Sequence, residues 1–260
     1  MTETEKVLRV GWAEGHPGVM HVVIDRPPVN AITLAAYREI LGIFSTIADD
    51  PDVRCVVLSS ACERAFIGGS DVNELKRLAP ASAVDRSRTA RRCFEAVRHT
   101  PVPVIAAVNG PAYGSGLAIV SVCDVVVCSE RARFALPEIN VGVMGGTKHL
   151  TRLVPLQMMR WMAFTGAKGD GHTLARIGSV HSVVPEDQLL AAAFAIADDI
   201  AAKSPAAVRM MKEAMDLTEE MDLGAGYHAE QLCTAIISSH PQAKEAASAF
   251  LEKRKPDFTR

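Results

Sequence analysis

No CxxC pair and no cysteine–histidine spacing suited to zinc occurs among the six cysteines of this 260-residue chain. That excludes the common zinc and dithiol motifs. Cys55, Cys62, Cys93, Cys123, Cys128 and Cys233 fall mostly in apolar segments, where a free thiol behaves as a small hydrophobe. A reduced, cytoplasmic setting is therefore expected. No apolar run is long enough to span a bilayer. The polar start, Met1-Thr2-Glu3-Thr4-Glu5-Lys6, has no apolar stretch behind it of the kind that a secretory signal needs. An excess of one charge is missing too: a formal net charge of −2 gives no reason to expect nucleic acid or an anionic membrane as partner. Two basic clusters, Arg86 to Arg98 and Lys253-Arg254-Lys255, read most simply as solvated helix faces. No metal constellation is visible, and neither Ser70 nor Ser115 has an identifiable base nearby in sequence. What remains is a composition with 48% hydrophobic and 22% charged residues, enough to bury a large globular core.

Along the chain, Val7 to Val10 and Val19 to Ile24 read as a hairpin about Gly15-His16-Pro17-Gly18. Leu34 to Ala48 has helical spacing behind Thr33, a plausible N-cap. Further apolar strands are expected at Val53 to Leu58, Val104 to Val108, Asp124 to Cys128 and Val180 to Val184. Asp71 and Glu74 have capping-box spacing for a short helix. Residues 82–99 look helical up to Pro101 and Pro103, and Gly116 to Ser121 reads as a short buried helix. Wholly apolar strands alternating with helices imply a parallel sheet covered on both faces. From about Pro185 only helical periodicity remains, over Asp187 to Ala202, Pro205 to Thr218, Gly226 to Ser239 and Gln242 to Lys255. The fold class is α/β with a helical C-terminal extension. Residues 1–190 are expected to form the core and residues 191–260 the helical region.

Two glycine loops each follow an apolar strand and run into a helix: Ala65-Phe66-Ile67-Gly68-Gly69-Ser70-Asp71 and Asn109-Gly110-Pro111-Ala112-Tyr113-Gly114-Ser115-Gly116. Glycine permits positive φ and close approach of a ligand, and a helix start leaves backbone N–H groups without partners. Two such loops suggest paired donors converging on one oxygen, an oxyanion hole.

Together with Pro137-Glu138 and Ala249-Phe250-Leu251-Glu252-Lys253-Arg254-Lys255-Pro256, these loops resemble the crotonase (enoyl-CoA hydratase/isomerase) superfamily. Asp25-Arg26-Pro27-Pro28-Val29-Asn30-Ala31 and the stretch Ala206 to Glu213 extend the resemblance nearly end to end. It implies a spiral of β-β-α units, assembled as a homotrimer or a dimer of trimers, in which the C-terminal helices serve oligomerisation and pocket cover. It implies an acyl-CoA thioester substrate, with coenzyme A as part of that substrate and no prosthetic group. The backbone N–H groups of Ser70 and Ser115 match the family's oxyanion donors, although Ser115 stands where glycine is usual. Around the coenzyme, the matching positions are Val29, Gly68, Ser70 and Val72, with Phe250 and Lys253 from the C-terminal helix. Pro28 replaces the basic residue often found after Arg-Pro. Arg26 is a possible contact there, and a salt-bridged structural arginine is the other reading of it.

Hydratases of the family use two glutamates. The second matches Glu138; the first would fall two residues after Gly116, where this chain has Ala118. A missing acid–base group typically costs about 10²–10⁴-fold, so hydration of the usual kind is disfavoured. Leu117-Ala118-Ile119 beside Glu138 is similar to the single-glutamate enoyl-CoA isomerases, in which one carboxylate moves a proton between C2 and C4. Apolar surroundings should raise the pKa of Glu138. A hydratase, decarboxylase or hydrolase with an unusual second group remains the alternative, as does a protein that binds acyl-CoA without turning it over. The stretch Ile139 to Met144 before Gly145-Gly146-Thr147 is about three residues shorter than is common in the family, so the acyl pocket should differ in shape. Lys148, His149 and Arg152 read as helix-surface or interface residues, Asp71 as a cap, Asp124 as structural and Tyr113 as packing.

Overall fold

A computed structural model describes residues 6–258; the reading of the polar start, Met1 to Lys6, as lacking a secretory signal lies outside them but for Lys6. The first half of the chain gives β1 (Leu8–Trp12), β2 (Val19–Ile24), α1 (Leu34–Asp49), β3 (Cys55–Ser60), α2 (Val72–Leu75), α3 (Pro80–Arg98) and β4 (Val104–Val108). Then come β5 (Ala112–Tyr113), α4 (Ser115–Ser121), β6 (Val125–Ser129), β7 (Arg133–Ala135) and a 3-10 turn, Pro137–Val141. They are followed by α5 (Thr147–Leu150), α6 (Leu156–Thr165), β8 (Gly169–Asp170), α7 (Gly171–Arg176) and β9 (Ser182–Val184). After a second 3-10 turn the chain is helical: α8 (Leu189–Ala201), α9 (Pro205–Thr218), α10 (Leu223–Ser238) and α11 (Pro241–Leu251). No described helix is long and apolar enough to cross a membrane.

Six strands form the main sheet in the order β1-β2-β3-β4-β6-β9. The β1–β2 hairpin is antiparallel, and every later pairing is parallel. Its central strands are apolar throughout because both faces are covered. Alternate residues divide between two cores with the period of two that a strand imposes. Val56, Leu58, Val104 and Ala106 face α1 and α3, joining Tyr37, Ile40, Phe44 and Val97. Cys55, Val57, Ile105 and Ala107 face α8, meeting Leu189, Ala193, Ala197 and Ala201. Thus α8, which spans the expected division at residue 190, is a sheet-covering helix, and α9 to α11 follow it.

A second, small sheet runs β5-β7-β8. Its strands are two or three residues long, too short to leave a periodic signal. Isolated bridges extend it, pairing Ile67 with Ala112 and Ile32 with Ser70. These bridges align the two glycine loops side by side.

Of four local readings, two stand and two change. Thr33 caps α1 through Ala36 N–H, as its position suggests. Asp71 caps α2, accepting from the N–H groups of Asn73 and Glu74, but Glu74 does not complete the capping box. Its carboxylate instead accepts from Leu34 N–H at the start of α1 and from Arg86 Nε. Arg86 accordingly is not on a solvated face: it is 7% exposed and donates to the Ile32 carbonyl. Asp124 is structural, accepting from Val104 N–H and from the buried Lys212 ammonium, which ties α9 to the sheet.

Candidate active site

The two loops meet because the Ile67–Ala112 bridge is parallel. Ile67 N–H donates to the Pro111 carbonyl at 3.1 Å, and Tyr113 N–H returns to the Ile67 carbonyl at 2.9 Å. Ser70 and Ser115 each lie three positions beyond a bridge partner, so the same register carries them together. Their hydroxyl oxygens are 2.9 Å apart. Ser115 opens α4, and its N–H is among the helix-start donors that have no intrahelical acceptor. Ser70 is flanked by Gly69 and Asp71, whose backbone groups bond to Ile32 while the Ser70 N–H does not. Neither N–H has an acceptor among the described residues.

Close approach depends on glycine at two places. A Cβ at Gly116 would stand 2.6 Å from the Ile67 carbonyl oxygen, so any side chain there would push the loops apart. Gly114 has φ 52° and ψ −109°, and a Cβ on it would overlap Glu138 Oε1.

Glu138 sits in the 3-10 turn after β7, held beside the second loop by the Gly114 N–H to Ala135 carbonyl bond. Its Oε2 is buried and has no hydrogen-bond partner among the described residues. Burial pushes its pKa above the ordinary glutamate value, opposed by a bond to its own backbone N–H. Ala118 lies on the buried helix α4 and offers only a methyl group. A cavity of about 310 Å³ is lined by Ser70, Ser115, Ala118, Glu138 and, from neighbouring helices, Tyr37 and His149. The short segment after Glu138 forms its rim, with Val143 and Met144 exposed beside it. Two free N–H donors and a carboxylate with one unpartnered oxygen around a shared cavity can hold an oxyanion and move a proton on the adjacent carbon.

Arg26, Val29, Gly68, Ser70 and Val72 are gathered along the first loop. Gly68 N–H donates to the Val29 carbonyl at 2.8 Å, and Val72 opens α2. Arg26 pairs with Asp71 and donates to the Ala31 carbonyl, the structural role that was its other reading. Phe250 and Lys253 stand apart at the end of α11; Phe250 is 82% exposed, and neither lines the cavity.

Sequence reasoning missed three residues of the site. Tyr37 reaches it from α1, with its hydroxyl 2.6 Å from Ser115 Oγ. Phe94 on α3 makes edge contacts with both Tyr37 and His149. His149 was read as a helix-surface or interface residue, yet it lines the cavity, and burial followed by the charges of Arg152 and Arg98 lowers its pKa. Only the helical phase of Tyr37 on α1 was legible, and that marks it as core. Tyr113 lies outside the cavity, its ring 5.4 Å from the Lys168 ammonium.

Known proteins of one family match nearly the whole chain. The family model described as enoyl-CoA hydratase/isomerase matches residues 14–260. A relative from Mycobacterium tuberculosis, (7aS)-7a-methyl-1,5-dioxo-2,3,5,6,7,7a-hexahydro-1H-indene-carboxyl-CoA hydrolase, is 40% identical, over 91% of this chain and 96% of its own. The short-chain-enoyl-CoA hydratase of Clostridium acetobutylicum is 33% identical over 90% of this chain and 91% of its own. Among solved structures, an enoyl-CoA hydratase from Mycobacterium smegmatis superposes with a TM-score of 0.93 at 31% identity, covering 98% of this chain and all of that one. With its paired glycine loops joined at Ser70 and Ser115 and with this match along nearly its whole length, the chain belongs to the enoyl-CoA hydratase/isomerase (crotonase) family.

Proposed function

We propose that this protein catalyses proton transfer next to the thioester carbonyl of an acyl-CoA, with double-bond isomerisation as its reaction. The observation that carries the reading is the unpartnered Glu138 Oε2 in one cavity with the Ser70 and Ser115 loops, while Ala118 supplies no second carboxylate. The thioester oxygen accepts from the two main-chain N–H groups. Glu138 takes a proton from C2 of a 3-enoyl thioester, the dienolate is held by the two donors, and the same carboxyl returns the proton to C4. Each oxyanion donor of this kind is worth about 3 kcal/mol in the transition state. Coenzyme A is bound as part of the substrate, along Val29, Gly68 and Val72, with Phe250 and Lys253 reaching it from an α11 of the same or a neighbouring subunit. Exposed apolar side chains on α9 to α11, among them Met211, Leu223, Ile236 and Phe250, support assembly as a homotrimer or dimer of trimers.

Hydrolysis is the second reading. It is favoured by two relatives, each named an indene-carboxyl-CoA hydrolase, that are 40% and 36% identical to this chain. In that reaction Glu138 activates water instead of taking a carbon-bound proton, with the oxyanion site unchanged. A panel separates the two: 3-enoyl-CoA, 2-enoyl-CoA and saturated or oxo-acyl-CoA thioesters, each assayed with the wild type and Glu138→Gln. Isomerisation lost in the variant supports the first reading. Hydrolysis of a panel member without isomerisation replaces it with the second, and rapid hydration of 2-enoyl-CoA sinks both.

A further inference from the structure

Three hydroxyls from three parts of the chain form a row beside the oxyanion loops. Tyr37 OH lies 2.6 Å from Ser115 Oγ, and Ser115 Oγ lies 2.9 Å from Ser70 Oγ. Three hydroxyls carry three protons, and the row holds two bonds of ordinary length, so one O–H is left over from them. Tyr37 is 2% exposed and Ser115 7%, while Ser70 is the most open of the three. A surplus proton on Tyr37 would sit on the most buried of the three residues, with Ser70 as its remaining partner, whereas on Ser70 it faces the cavity. The Arg86 guanidinium, 5.1 Å from the centre of the Tyr37 ring, also favours the phenol as donor. A phenol is in any case a stronger acid than an aliphatic alcohol. The row therefore runs from Tyr37 to Ser115 to Ser70, and the surplus O–H emerges at Ser70, which lines the cavity. Serine at position 115, where the family resemblance expects glycine, is the middle link that makes the row continuous.

We propose that Tyr37, acting through Ser115, orients the Ser70 hydroxyl as a third hydrogen-bond donor to the thioester oxygen, alongside the two main-chain N–H groups. This rests on the reading of Ser70 and Ser115 as the oxyanion site. Ser70 is the group that touches substrate, and Tyr37 is a positioning residue. The geometry adds a side-chain donor whose direction is imposed from α1, outside both glycine loops.

The test uses acetoacetyl-CoA, whose enolate absorbs in the near ultraviolet, bound to the full-length protein. The ratio of bound enolate to bound keto form reads donor strength without turnover. Tyr37→Phe, Ser115→Ala and Ser70→Ala are each expected to lower that ratio by about ten- to a hundredfold, the worth of a hydrogen bond to a charged acceptor. Affinity of Tyr37→Phe for free CoA should stay unchanged. Because the three act in series, Tyr37→Phe combined with Ser70→Ala should be no worse than Ser70→Ala alone. Losses that multiply in the double variant, or a Tyr37→Phe ratio equal to the wild type's, overturn the proposal. Should Tyr37→Phe fail to fold, Ser115→Ala breaks the same row at its middle and carries the same comparison. If the wild type enolises the probe and the variants match it, the third donor alone is refuted. If the wild type binds the probe with no enolate, the oxyanion reading falls and the third donor with it.

Discussion

Gly114 makes room for the carboxylate of Glu138: any Cβ on Gly114 would occupy the position of Glu138 Oε1. The second glycine loop thus leaves space for the Glu138 carboxylate beside the Ser115 N–H. Gly114→Ala should displace Glu138 and strain a backbone at φ 52°, at about 1–3 kcal/mol of stability. The expected kinetic result is a fall in kcat of at least tenfold with a smaller change in KM. Steady-state kinetics beside a thermal melt would check it, and an unaltered kcat would remove Glu138 from its place.

Glu138→Gln should lower kcat by about 10²–10⁴-fold while leaving affinity for CoA intact, because the amide cannot accept the substrate proton. The pH profile follows from the same residue. Only the carboxylate form works as base, so kcat/KM falls as pH drops through the Glu138 pKa. Burial raises that pKa, so the acid limb should lie at higher pH than an ordinary glutamate would give. A limb at or below the ordinary glutamate range would contradict the buried, unpartnered setting of Oε2.

Ala118→Glu restores a second carboxylate to the cavity. Hydration of 2-enoyl-CoA should be faster than in the wild type. The new negative charge should also push the Glu138 pKa further up and move the acid limb with it. Hydration rates and pH profiles of the two proteins give the comparison; a wild type that already hydrates as fast as the variant would show that Ala118 is no obstacle.

Lys212→Ala tests the tie between α9 and the sheet. Lys212 is 2% exposed, and its ammonium lies 2.7 Å from Asp124 Oδ2 and 3.1 Å from the Val102 carbonyl. Removing it leaves the Asp124 carboxylate, whose side chain is 26% exposed, with Val104 N–H as its remaining hydrogen-bond donor, which should cost about 1–3 kcal/mol in denaturant unfolding. Burial already raises the Asp124 pKa, and loss of Lys212 raises it further. A carboxyl whose folded pKa is raised destabilises the fold as pH rises past its unfolded value. The penalty should therefore be small in acid and grow toward neutral pH. Pairing Lys212→Met with Asp124→Asn should recover much of it.

Elements with strong local signals were legible. The strand Val19–Ile24 and the helix Pro205–Thr218 have the ends that their sequence suggests, and the Thr33 cap is where a hydroxyl precedes a helical pattern. Strands of two or three residues left no such trace. A run of arginines does not reveal which member turns inward, so Arg86 was read with its solvated neighbours although Glu74 and Ile32 hold it inside. His149 was misplaced for a related reason. Four residues of helix α5 carry too little periodicity to say which side faces the cavity.

The sequence by itself determined the parallel sheet and the two glycine loops, because strand hydrophobicity and positive-φ turns are written into neighbouring residues. It also determined, by resemblance, the family. Folding in three dimensions sets the contact of Ser70 with Ser115, brings in Tyr37 from 78 positions before Ser115 in the chain, and leaves Phe250 out of the cavity lining. Those relationships depend on the register of a parallel bridge and on helix packing across the sheet. Both are set by contacts between segments that have no sequence period in common.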